Sequence, residues 1–446
     1  MRDFYIIIGL GATGLSCARY LSIKNIPFVI ADDRQNPPKL SEFQKEFSDV
    51  KIYLGEFSTA LFLTATKIII SPGVSLEIPA IQSAIQKNIP VVSDIELFAQ
   101  AAQKPIIAIT GSNGKSTLVT LMGELIQNAG FKAIVCGNIG LPVLEAILQP
   151  IPDYYVVELS SFQLETTYSL KAKCAVVINI SPDHLDRHKT EKAYLEAKKI
   201  VYQNCEYGFV NCDEKEIWDD LSFKNLPIGF TLNKPMENQW GFFDNYLCFG
   251  DKKLIAISEL FLQSRHQYQN MLIALAMGTV LNLPIDNMLN TLRKFKGLAH
   301  RCQLVYSNNN IRWFDDSKAT NVGAAVAGIQ SIGQLSTDKI ILIAGGDSKG
   351  VELNDLKLPV KQYVSDVILL GKDADKLEST LTDCARIIRV NNMKEAVQKA
   401  AHLAKSGSIV LLSPACSSLD MYSGYDARGD DFTNNAKNTG NAKTPS

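Results

Sequence analysis

The stretch that decides the fold is residues 106–117, which read IIAITGSNGKST. A short apolar run, 106–109, is followed by a glycine-rich loop and then by an apolar helical pattern over 118–127. Backbone amides at the start of that helix and the Lys115 ammonium can hold the β and γ phosphates of a nucleotide, while the Ser116 hydroxyl can bind Mg²⁺. The pattern therefore predicts an ATP site made of Gly111, Ser112, Asn113, Gly114, Lys115, Ser116 and Thr117. It departs from the complete Walker pattern, because the first glycine of that pattern would fall at Ile109.

Apolar runs of this kind, each followed by a helical pattern, recur along the whole chain. Continuous apolar strands that alternate with helices indicate parallel sheets covered on both faces. The clearest runs are 5–8, 67–70, 106–109, 154–157, 175–178, 340–343, 367–370 and 409–412. We therefore predict an α/β protein with several sheets. The patterns restart at points that divide the chain into residues 1–93, 94–298 and 299–432, and the polar segment 433–446 is expected to be disordered.

The composition excludes several classes of function. The chain has 45 basic and 46 acidic residues, so it lacks the basic excess that nucleic-acid binding proteins usually carry. Its longest nearly apolar stretch, 271–283, is shorter than the roughly 18–20 residues that span a bilayer and is expected to be a buried helix. The nine cysteines are scattered without zinc-binding spacing, which is typical of buried thiols in a reducing compartment. We expect a cytoplasmic protein that binds neither nucleic acid nor membrane.

A second glycine loop lies near the N-terminus. Residues 9–14 form the pattern Gly-x-Gly-x-x-Gly between the run 5–8 and a helical pattern, where free backbone N–H groups can hold a diphosphate. Asp32 and Asp33 follow the next apolar run, 28–30, where a carboxylate can bind ribose or uracil. The loop indicates a nucleotide or diphosphate ligand, and by itself it does not specify NAD.

Two polar residues of the middle segment follow predicted strands. Glu158 comes directly after the run 154–157, and His184 lies in an Asp-His-Leu-Asp sequence after the run 175–178. Carboxylate and imidazole groups at adjacent strand ends can together hold Mg²⁺. Taken singly, either residue is equally well explained as a surface polar residue. Metal binding is favoured because the same segment contains the predicted phosphate-binding loop 110–117, the P-loop.

The series of motifs, in this order, resembles the Mur ligase family. The resemblance extends from the first strand to about Phe432 and therefore covers nearly the whole chain. The matching blocks are 9–14, 71–73, 94–97, 110–117, 137–140, 158–163, 183–186, 300–301, 315–321, 345–349 and 412–420.

The resemblance implies three α/β domains. They are an N-terminal Rossmann-like domain for a UDP-linked substrate, a central P-loop ATPase with a mostly parallel sheet, and a C-terminal Rossmann-like domain for the incoming amino acid. The residues implied for the UDP-linked substrate are Gly11, Thr13, Gly14, Asp32, Arg34, Ser71, Pro72, Gly73 and Asn138. Those implied for ATP, besides the P-loop, are Asn270, Arg301, Asp316 and Lys318. Those implied for D-glutamate are Thr320, Lys349, Ser418 and Tyr425.

The resemblance also implies two Mg²⁺ sites and a modified lysine. Lys198 stands where the family carries an N-carboxylated lysine, and a carbamate turns this cation into an anion that can help to hold Mg²⁺. Without the resemblance, a lysine in a helical pattern would be taken as solvated, as its neighbour Lys199 shows. The implied catalytic residues are Lys115, His184 and Lys198, and the implied metal ligands are Ser116, Glu158, His184 and Lys198 as its carbamate.

The sequence departs from the family in two places. Tyr425 stands where a phenylalanine is expected beside D-glutamate, and its hydroxyl leaves the detailed shape of that pocket open. The polar segment after Phe432 replaces the amphipathic helix that usually closes the last domain.

The activity implied is ATP-driven amide formation in a bacterial cytoplasm. A monomeric enzyme would join D-glutamate to UDP-N-acetylmuramoyl-L-alanine through an acyl phosphate, in the synthesis of peptidoglycan precursors. Three alternatives remain: another amino-acid ligase of the family, a nicotinamide dehydrogenase, and a non-catalytic P-loop switch protein. A dehydrogenase would leave Lys115 unused, and a switch protein would not explain the blocks 316–321 and 413–420.

Overall fold

The computed structural model describes residues 3–181, 183, 185–262, 264–335 and 338–439, without the side chains of Leu185 and Asp186. The chain forms two compact units. The first comprises Met1–Leu260 and Gln267–Lys294, and the second comprises Phe261–His266 and Phe295–Ser446. The first unit contains two sheets and the second contains one.

The first sheet has five parallel strands in the order β3-β2-β1-β4-β5. Its strands are β1 Tyr5–Ile8, β2 Phe28–Asp32, β3 Ile52–Leu54, β4 Lys67–Ile70 and β5 Val91–Val92. Its helices are α1 Ala12–Ile23, α2 Leu40–Glu46, α3 Thr59–Phe62 and α4 Pro79–Gln86. The strand order reverses beside β1, and in open parallel sheets such a reversal leaves a ligand crevice at the carboxyl ends of the strands.

The second sheet has nine strands in the order β14-β13-β12-β11-β10-β9-β6-β8-β7. Its strands are β6 Ile106–Thr110, β7 Ala133–Gly137, β8 Tyr154–Glu158, β9 Cys174–Val177, β10 Tyr207–Asn211, β11 Ile228–Thr231, β12 Trp240–Phe243, β13 Tyr246–Phe249 and β14 Lys252–Ala256. The associated helices are α5 Asp94–Ala101, α6 Lys115–Asn128, α7 Val143–Ile147, α8 Ser161–Leu164, α9 Leu185–His188, α10 Glu191–Lys199, α11 Arg265–Val280 and α12 Ile285–Lys294. The sheet is parallel except for β13, which runs antiparallel to both β12 and β14.

The third sheet has the order β15-β16-β20-β17-β18-β19. Its strands are β15 Gln303–Asn308, β16 Ile311–Asp315, β17 Ile340–Gly345, β18 Val364–Leu370, β19 Arg386–Arg389 and β20 Ile409–Leu412. Its helices are α13 Val322–Gly333, α14 Lys357–Tyr363, α15 Ala374–Leu381, α16 Met393–Leu403 and α17 Tyr425–Thr439. Only β15 is antiparallel, so the carboxyl ends of β16, β20, β17 and β18 meet at one edge.

These sheets confirm the predicted α/β class, and their strands are buried as continuous apolar runs. Ile340–Gly345, for example, is buried at every position, as expected for a strand that is covered on both faces. The buried helix predicted over 271–283 corresponds to the second half of α11, whose residues 267–278 are all buried, but the helix ends at Val280 and leaves 281–283 outside it. No helix in the described ranges is both long and apolar enough to cross a membrane. Each sheet falls within one predicted segment, while the exact boundaries at 93 and 298 stay predictions.

The expected disorder from residue 433 onward is wrong for residues 433–439. Helix α17 continues to Thr439, and its Phe432 and Ala436 are fully buried. Phe432 packs beside Trp313, with 6.0 Å between the ring centroids. Two apolar side chains four residues apart are enough to give a mostly polar helix one buried face. Residues 440–446 lie outside the described part of the chain.

Candidate active site

The N-terminal glycine loop, residues 9–14, lies at the carboxyl end of β1 and leads into α1. A Cβ on Gly14 would lie 1.9 Å from the carbonyl oxygen of Gly9, so only glycine fits there. Ser71, which follows β4, donates from its hydroxyl to the same Gly9 oxygen at 3.1 Å. The structure therefore brings the predicted UDP segments 11–14 and 71–73 to one edge of the first sheet, around the free amides at the start of α1.

Asp32 shapes this loop through hydrogen bonds within the protein. Its buried carboxylate accepts Leu10 N at 2.7 Å and the Arg34 side chain at 2.7 and 2.8 Å. Burial alone would raise the pKa of Asp32, but the Arg34 side chain and the Leu10 amide outweigh burial and lower that pKa. Asp32 thus fixes the loop and neutralises Arg34, and its direct contact with uridine stays a prediction.

The P-loop connects β6 to α6, as the sequence predicts. Gly114 adopts φ +85°, a left-handed conformation that suits glycine, and α6 begins at the next residue. Lys115 Nζ donates to the carbonyl oxygens of Gly111 and Ser112, both at 2.8 Å. Ser116 is buried in the first turn of the helix. The loop therefore gathers a lysine, a hydroxyl and the amides of a helix start, which is what a triphosphate with Mg²⁺ requires.

A neighbouring segment holds the loop from outside. Asn113 N donates to Asn179 Oδ1 at 2.9 Å, and Ser112 Oγ accepts Ser181 N at the same distance. The hydroxyl of Tyr194 lies 3.1 Å from Ser112 Oγ. Sequence reasoning did not single out Tyr194, because a tyrosine within a helical pattern gives no sign that it reaches a loop eighty residues away.

Glu158 ends β8, next to β6, and is 1% exposed. Its Oε1 accepts Asn138 Nδ2 at 2.9 Å, and its Oε2 is buried without a hydrogen-bond partner among the described residues. A buried carboxylate oxygen of this kind is costly unless a cation or a hydrogen-bond donor approaches it. Glu158 therefore fits a Mg²⁺ ligand, and Asn138 orients it.

Lys198 is buried at the P-loop, although its helical context suggests a solvated side chain. Its Nζ donates to Gly111 O at 2.9 Å and to Thr110 Oγ1 at 3.3 Å. Burial, followed by repulsion from Lys115, lowers its pKa well below the ordinary lysine value, while Asp183 and Glu158 oppose that shift. The neighbouring Lys199 instead pairs with Asp220 at 2.7 Å, outside this cluster.

Two further residues are predicted to belong to this region, Asn270 as a ligand of ATP and His184 as a ligand of Mg²⁺. Asn270 donates from Nδ2 to Gly114 O at 3.5 Å, and its Oδ1 is buried without a hydrogen-bond partner in the described part of the chain. His184 lies outside the described residues. Within the described ranges, no three His, Cys, Asp or Glu side chains form a metal-binding group. Glu158 would therefore need further ligands in order to hold Mg²⁺. The candidates are Ser116, Lys198 as its carbamate, His184 and the phosphates of a bound nucleotide.

In the second unit, two of the residues predicted for ATP, Asp316 and Lys318, follow β16, and the third, Arg301, precedes β15. Asp316 is buried, accepts Ser413 Oγ at 2.8 Å and Cys302 N at 3.2 Å, and burial raises its pKa to about 7. Arg301 is close enough to lower that pKa partly. The Lys318 ammonium lies 5.0 Å from the centre of the Tyr425 ring. The structure therefore groups three predicted ATP residues with one residue of the predicted D-glutamate pocket.

The residues predicted for D-glutamate lie on segments that meet at the carboxyl edge of the third sheet. Thr320 follows β16, Lys349 follows β17, and Ser418 follows β20. Tyr425 begins α17, and its carbonyl oxygen accepts Ser317 Oγ at 2.7 Å. The tyrosine that replaces the expected phenylalanine contributes ring contacts to Lys318 and to His300.

The buried Arg428 was missed because the sequence places it in an unremarkable polar stretch. Its guanidinium donates to Ser317 O at 2.9 Å, to Cys416 O at 3.2 Å and to Gly345 O at 3.3 Å. Burial lowers its pKa to about 10, which still leaves it charged near neutral pH. Arg428 thus ties together the three segments that follow β16, β17 and β20.

A second missed group surrounds the buried His188. Its Nε2 lies 2.9 Å from Ser161 Oγ, its Nδ1 lies 3.3 Å from Glu165, and its ring stacks on Phe162. The contacts join α9 to α8, directly after Glu158. In the sequence, the only sign that His188 belongs to the site is that it lies two residues after the predicted block 183–186.

Comparison with known proteins agrees with the resemblance seen in the sequence. The chain matches the N-terminal domain of MurD-like Mur ligases over residues 3–93, the Mur ligase middle domain over 109–278 and the Mur ligase glutamate ligase domain over 300–416. The UDP-N-acetylmuramoylalanine–D-glutamate ligase of Coxiella burnetii (strain Dugway 5J108-111) is 49% identical, covering 96% of this chain and 97% of the relative. The protein of that name from Legionella pneumophila (strain Lens) is 41% identical, covering 98% and 99%.

Two solved structures share the fold at low identity. The Thermotoga maritima MurF ligase in complex with ADP matches with a TM-score of 0.61 and 14% identity, covering 98% of this chain and 96% of that chain. The UDP-N-acetylmuramate-alanine ligase MurC of the same organism matches with a TM-score of 0.58 and 14% identity, covering 98% and 99%. These matches, with the three domain families and the relatives at 41–49% identity, show that the chain belongs to the Mur ligase family.

Proposed function

We propose that the protein catalyses the ATP-dependent ligation of D-glutamate to UDP-N-acetylmuramoyl-L-alanine, a step in the synthesis of peptidoglycan precursors. The observation that carries the proposal is the near-complete coverage of relatives with this name at 41–49% identity. The geometry agrees, because the first unit holds a glycine loop for a diphosphate and a separate P-loop for a triphosphate. A dehydrogenase has no use for the P-loop.

The proposed reaction has two steps. The terminal alanine carboxylate attacks the γ-phosphorus of ATP, so that ADP leaves and an acyl phosphate forms. The amine of D-glutamate then attacks the acyl carbon, and phosphate leaves through a tetrahedral intermediate. Both steps concentrate negative charge, so the protein contributes mainly by positioning the reactants and stabilising that charge.

Lys115 is the residue proposed to stabilise the transferred phosphoryl group. Its ammonium is held at the mouth of the P-loop by Gly111 O and Ser112 O, both 2.8 Å away. Asn270 contacts the same loop at Gly114. We assign Arg301, Asp316 and Lys318 of the second unit to ATP as well, because Arg301 interacts with Asp316 and Lys318 lies two residues after Asp316.

Mg²⁺, when bound, would neutralise the phosphates during transfer. We propose that Glu158, Ser116 and His184 hold it, and that Lys198 contributes as an N-carboxylated lysine. The support for Glu158 is its buried Oε2, which has no hydrogen-bond partner among the residues that the structure describes. The support for Lys198 is its position at Gly111 together with its lowered pKa, because only the neutral amine can react with carbon dioxide.

The substrates are assigned to the two remaining sites. The UDP-linked substrate is proposed to bind at Gly11, Thr13, Gly14, Arg34 and segment 71–73, with Asp32 supporting the loop and Asn138 near the muramoyl-alanine end. D-glutamate is proposed to bind Thr320, Lys349, Ser418 and Tyr425. We further propose a monomer in the bacterial cytoplasm without nucleic-acid or membrane partners, in keeping with the formal net charge of −1.

The test is phosphate release from ATP with each substrate omitted in turn. We expect release only when Mg²⁺, UDP-N-acetylmuramoyl-L-alanine and D-glutamate are all present, with one phosphate formed per amide bond. L-alanine with UDP-N-acetylmuramate tests for a different ligase of the family, and NAD with a reduced substrate tests for a dehydrogenase. Turnover in either of those mixtures, without turnover in the first, would refute the proposal.

A further inference from the structure

Asp347 lies two residues before Lys349, in the loop that follows β17. Three parallel strands, β20, β17 and β18, end side by side, and the segments that follow them meet around this residue. Asp347 N donates to Ser417 O at 3.0 Å, and Ser417 N donates to Asp347 O at 2.9 Å. The backbone of Asp347 thus joins the segment of Lys349 to the segment of Ser418.

The Asp347 side chain holds two lysines through its two oxygens. Oδ1 accepts the backbone N–H of Lys349 at 2.8 Å, and Oδ2 accepts Lys372 Nζ at 3.0 Å. The hydrogen bond from Lys349 N and the one from Lys372 keep the pKa of Asp347 below its usual range. Asp347 is therefore ionised at neutral pH.

The contact with Lys349 matters because that residue has φ +51°. A left-handed backbone is unfavourable for a residue with a Cβ, so the surrounding structure must maintain it. An aspartate that accepts the N–H two residues later is a common way to do so. Ser348 N supports the same turn by donating to Asp373 Oδ2 at 2.6 Å.

We propose that Asp347 is a positioning residue for the incoming amino acid, which directs Lys349 and Lys372 toward its carboxylates. The proposal rests on the proposed function, since it takes D-glutamate as the ligand of this edge. D-glutamate carries two carboxylates, and the two lysines joined by Asp347 provide two cations. Asp347 holds Lys372 Nζ at 3.0 Å, and the Lys372 side chain is 61% exposed, so a ligand can reach the ammonium there. Its ion pair contributes little to stability at such exposure.

The experiment measures kcat and the KM of each substrate for Asp347→Ala, Asp347→Asn and Lys372→Gln in the full chain. Asp347→Ala should raise the KM for D-glutamate about tenfold, because it removes both contacts, one of them to a charged group. Asp347→Asn keeps an acceptor for Lys349 N and should raise that KM less. The KM values for ATP and the UDP-linked substrate should stay within about twofold, because the described hydrogen-bond partners of Asp347 are Ser417, Lys349 and Lys372, and none of these is assigned to either substrate.

Asp375→Ala is the matched control. It removes an ion pair of the same unit, Asp375 with Arg389 at 2.7 Å, at a residue that is 93% exposed. An unchanged KM for D-glutamate in the Asp347 variants would overturn the inference, and so would an equal rise in all three KM values. If Asp347→Ala does not fold, Asp347→Asn and Lys372→Gln decide by the same criteria. Failure of the proposed function is seen separately, as absence of D-glutamate-dependent phosphate release in the unaltered protein.

Discussion

Replacement of Lys198 by alanine is expected to abolish ligation. Lys198 Nζ donates to Gly111 O and Thr110 Oγ1, and its lowered pKa favours the neutral amine from which a carbamate can form. If the carbamate supports Mg²⁺, its loss should cost about 10²–10³ in kcat, the effect of removing one preorganised electrostatic group. The lost hydrogen bond to Gly111 O should also destabilise the fold by about 0.5–1.5 kcal/mol, a modest loss because Gly111 O keeps its hydrogen bond from Lys115 Nζ.

Lys199→Ala is the matched control for this variant. The two lysines are neighbours on α10, but Lys199 pairs with Asp220 and Glu196 at 2.7 and 3.3 Å and has no contact with the P-loop. It should therefore change kcat by no more than about twofold, because loss of these ion pairs leaves the contacts of Lys198 with the P-loop in place.

The assay is phosphate release with and without added formate or acetate. A small carboxylate can enter the space left by Lys198→Ala and should restore part of the activity. In the unaltered protein, ¹³C-bicarbonate should give a carbamate signal that is absent from Lys198→Ala and retained in Lys199→Ala. A fully active Lys198→Ala enzyme, or an unaltered protein without the carbamate signal, would refute the reasoning.

Three further predictions follow from the sites described above. Lys115→Ala should abolish phosphate release while leaving calorimetric binding of the UDP-linked substrate intact, because that substrate is assigned to the other glycine loop; equal loss of both would contradict the assignment. Gly11→Val should weaken binding of the UDP-linked substrate without unfolding the chain, since a Cβ on Gly11 meets no protein atom within 4 Å, whereas Gly14→Ala would clash with Gly9 O at 1.9 Å; binding of NAD by the unaltered protein would instead favour a dehydrogenase. Asp316 has a folded-state pKa of about 7 against an ordinary value of 3.8, so the folded state binds the extra proton and stability should fall as pH rises between these values. In urea unfolding, the free energy of unfolding should fall less between pH 4 and 7 for Asp316→Asn than for the unaltered protein. If it fell equally in both proteins, the raised pKa of Asp316 would be contradicted.

The sequence was sufficient for the features that depend on local pattern. The P-loop follows from glycine and lysine spacing after an apolar strand, and Glu158 follows from its place at a strand end. The contact of Lys198 with the P-loop does not follow, because Lys198 and Lys199 are chemically identical and both are buried, and only the packing of α10 decides that Lys198 reaches Gly111 while Lys199 reaches Asp220. The last turns of α17 were not predicted, because the segment contains few apolar residues. Only the packing of residues such as Ala436 against the rest of the unit shows that they form a buried helix face. Asp32 was placed correctly beside the first loop, but its pairing with Arg34 and Leu10 depends on side-chain geometry.

The buried guanidinium of Arg428 makes the last helix part of the candidate active site. Its acceptors are Ser317, Gly345 and Cys416, one from each segment at the carboxyl edge of the third sheet. The chain therefore completes this site only when its C-terminal helix has been synthesised and docked. During translation, the second unit would expose three separate strand ends until residue 428 emerges from the ribosome, and a prematurely terminated product would lack the central cation that joins them.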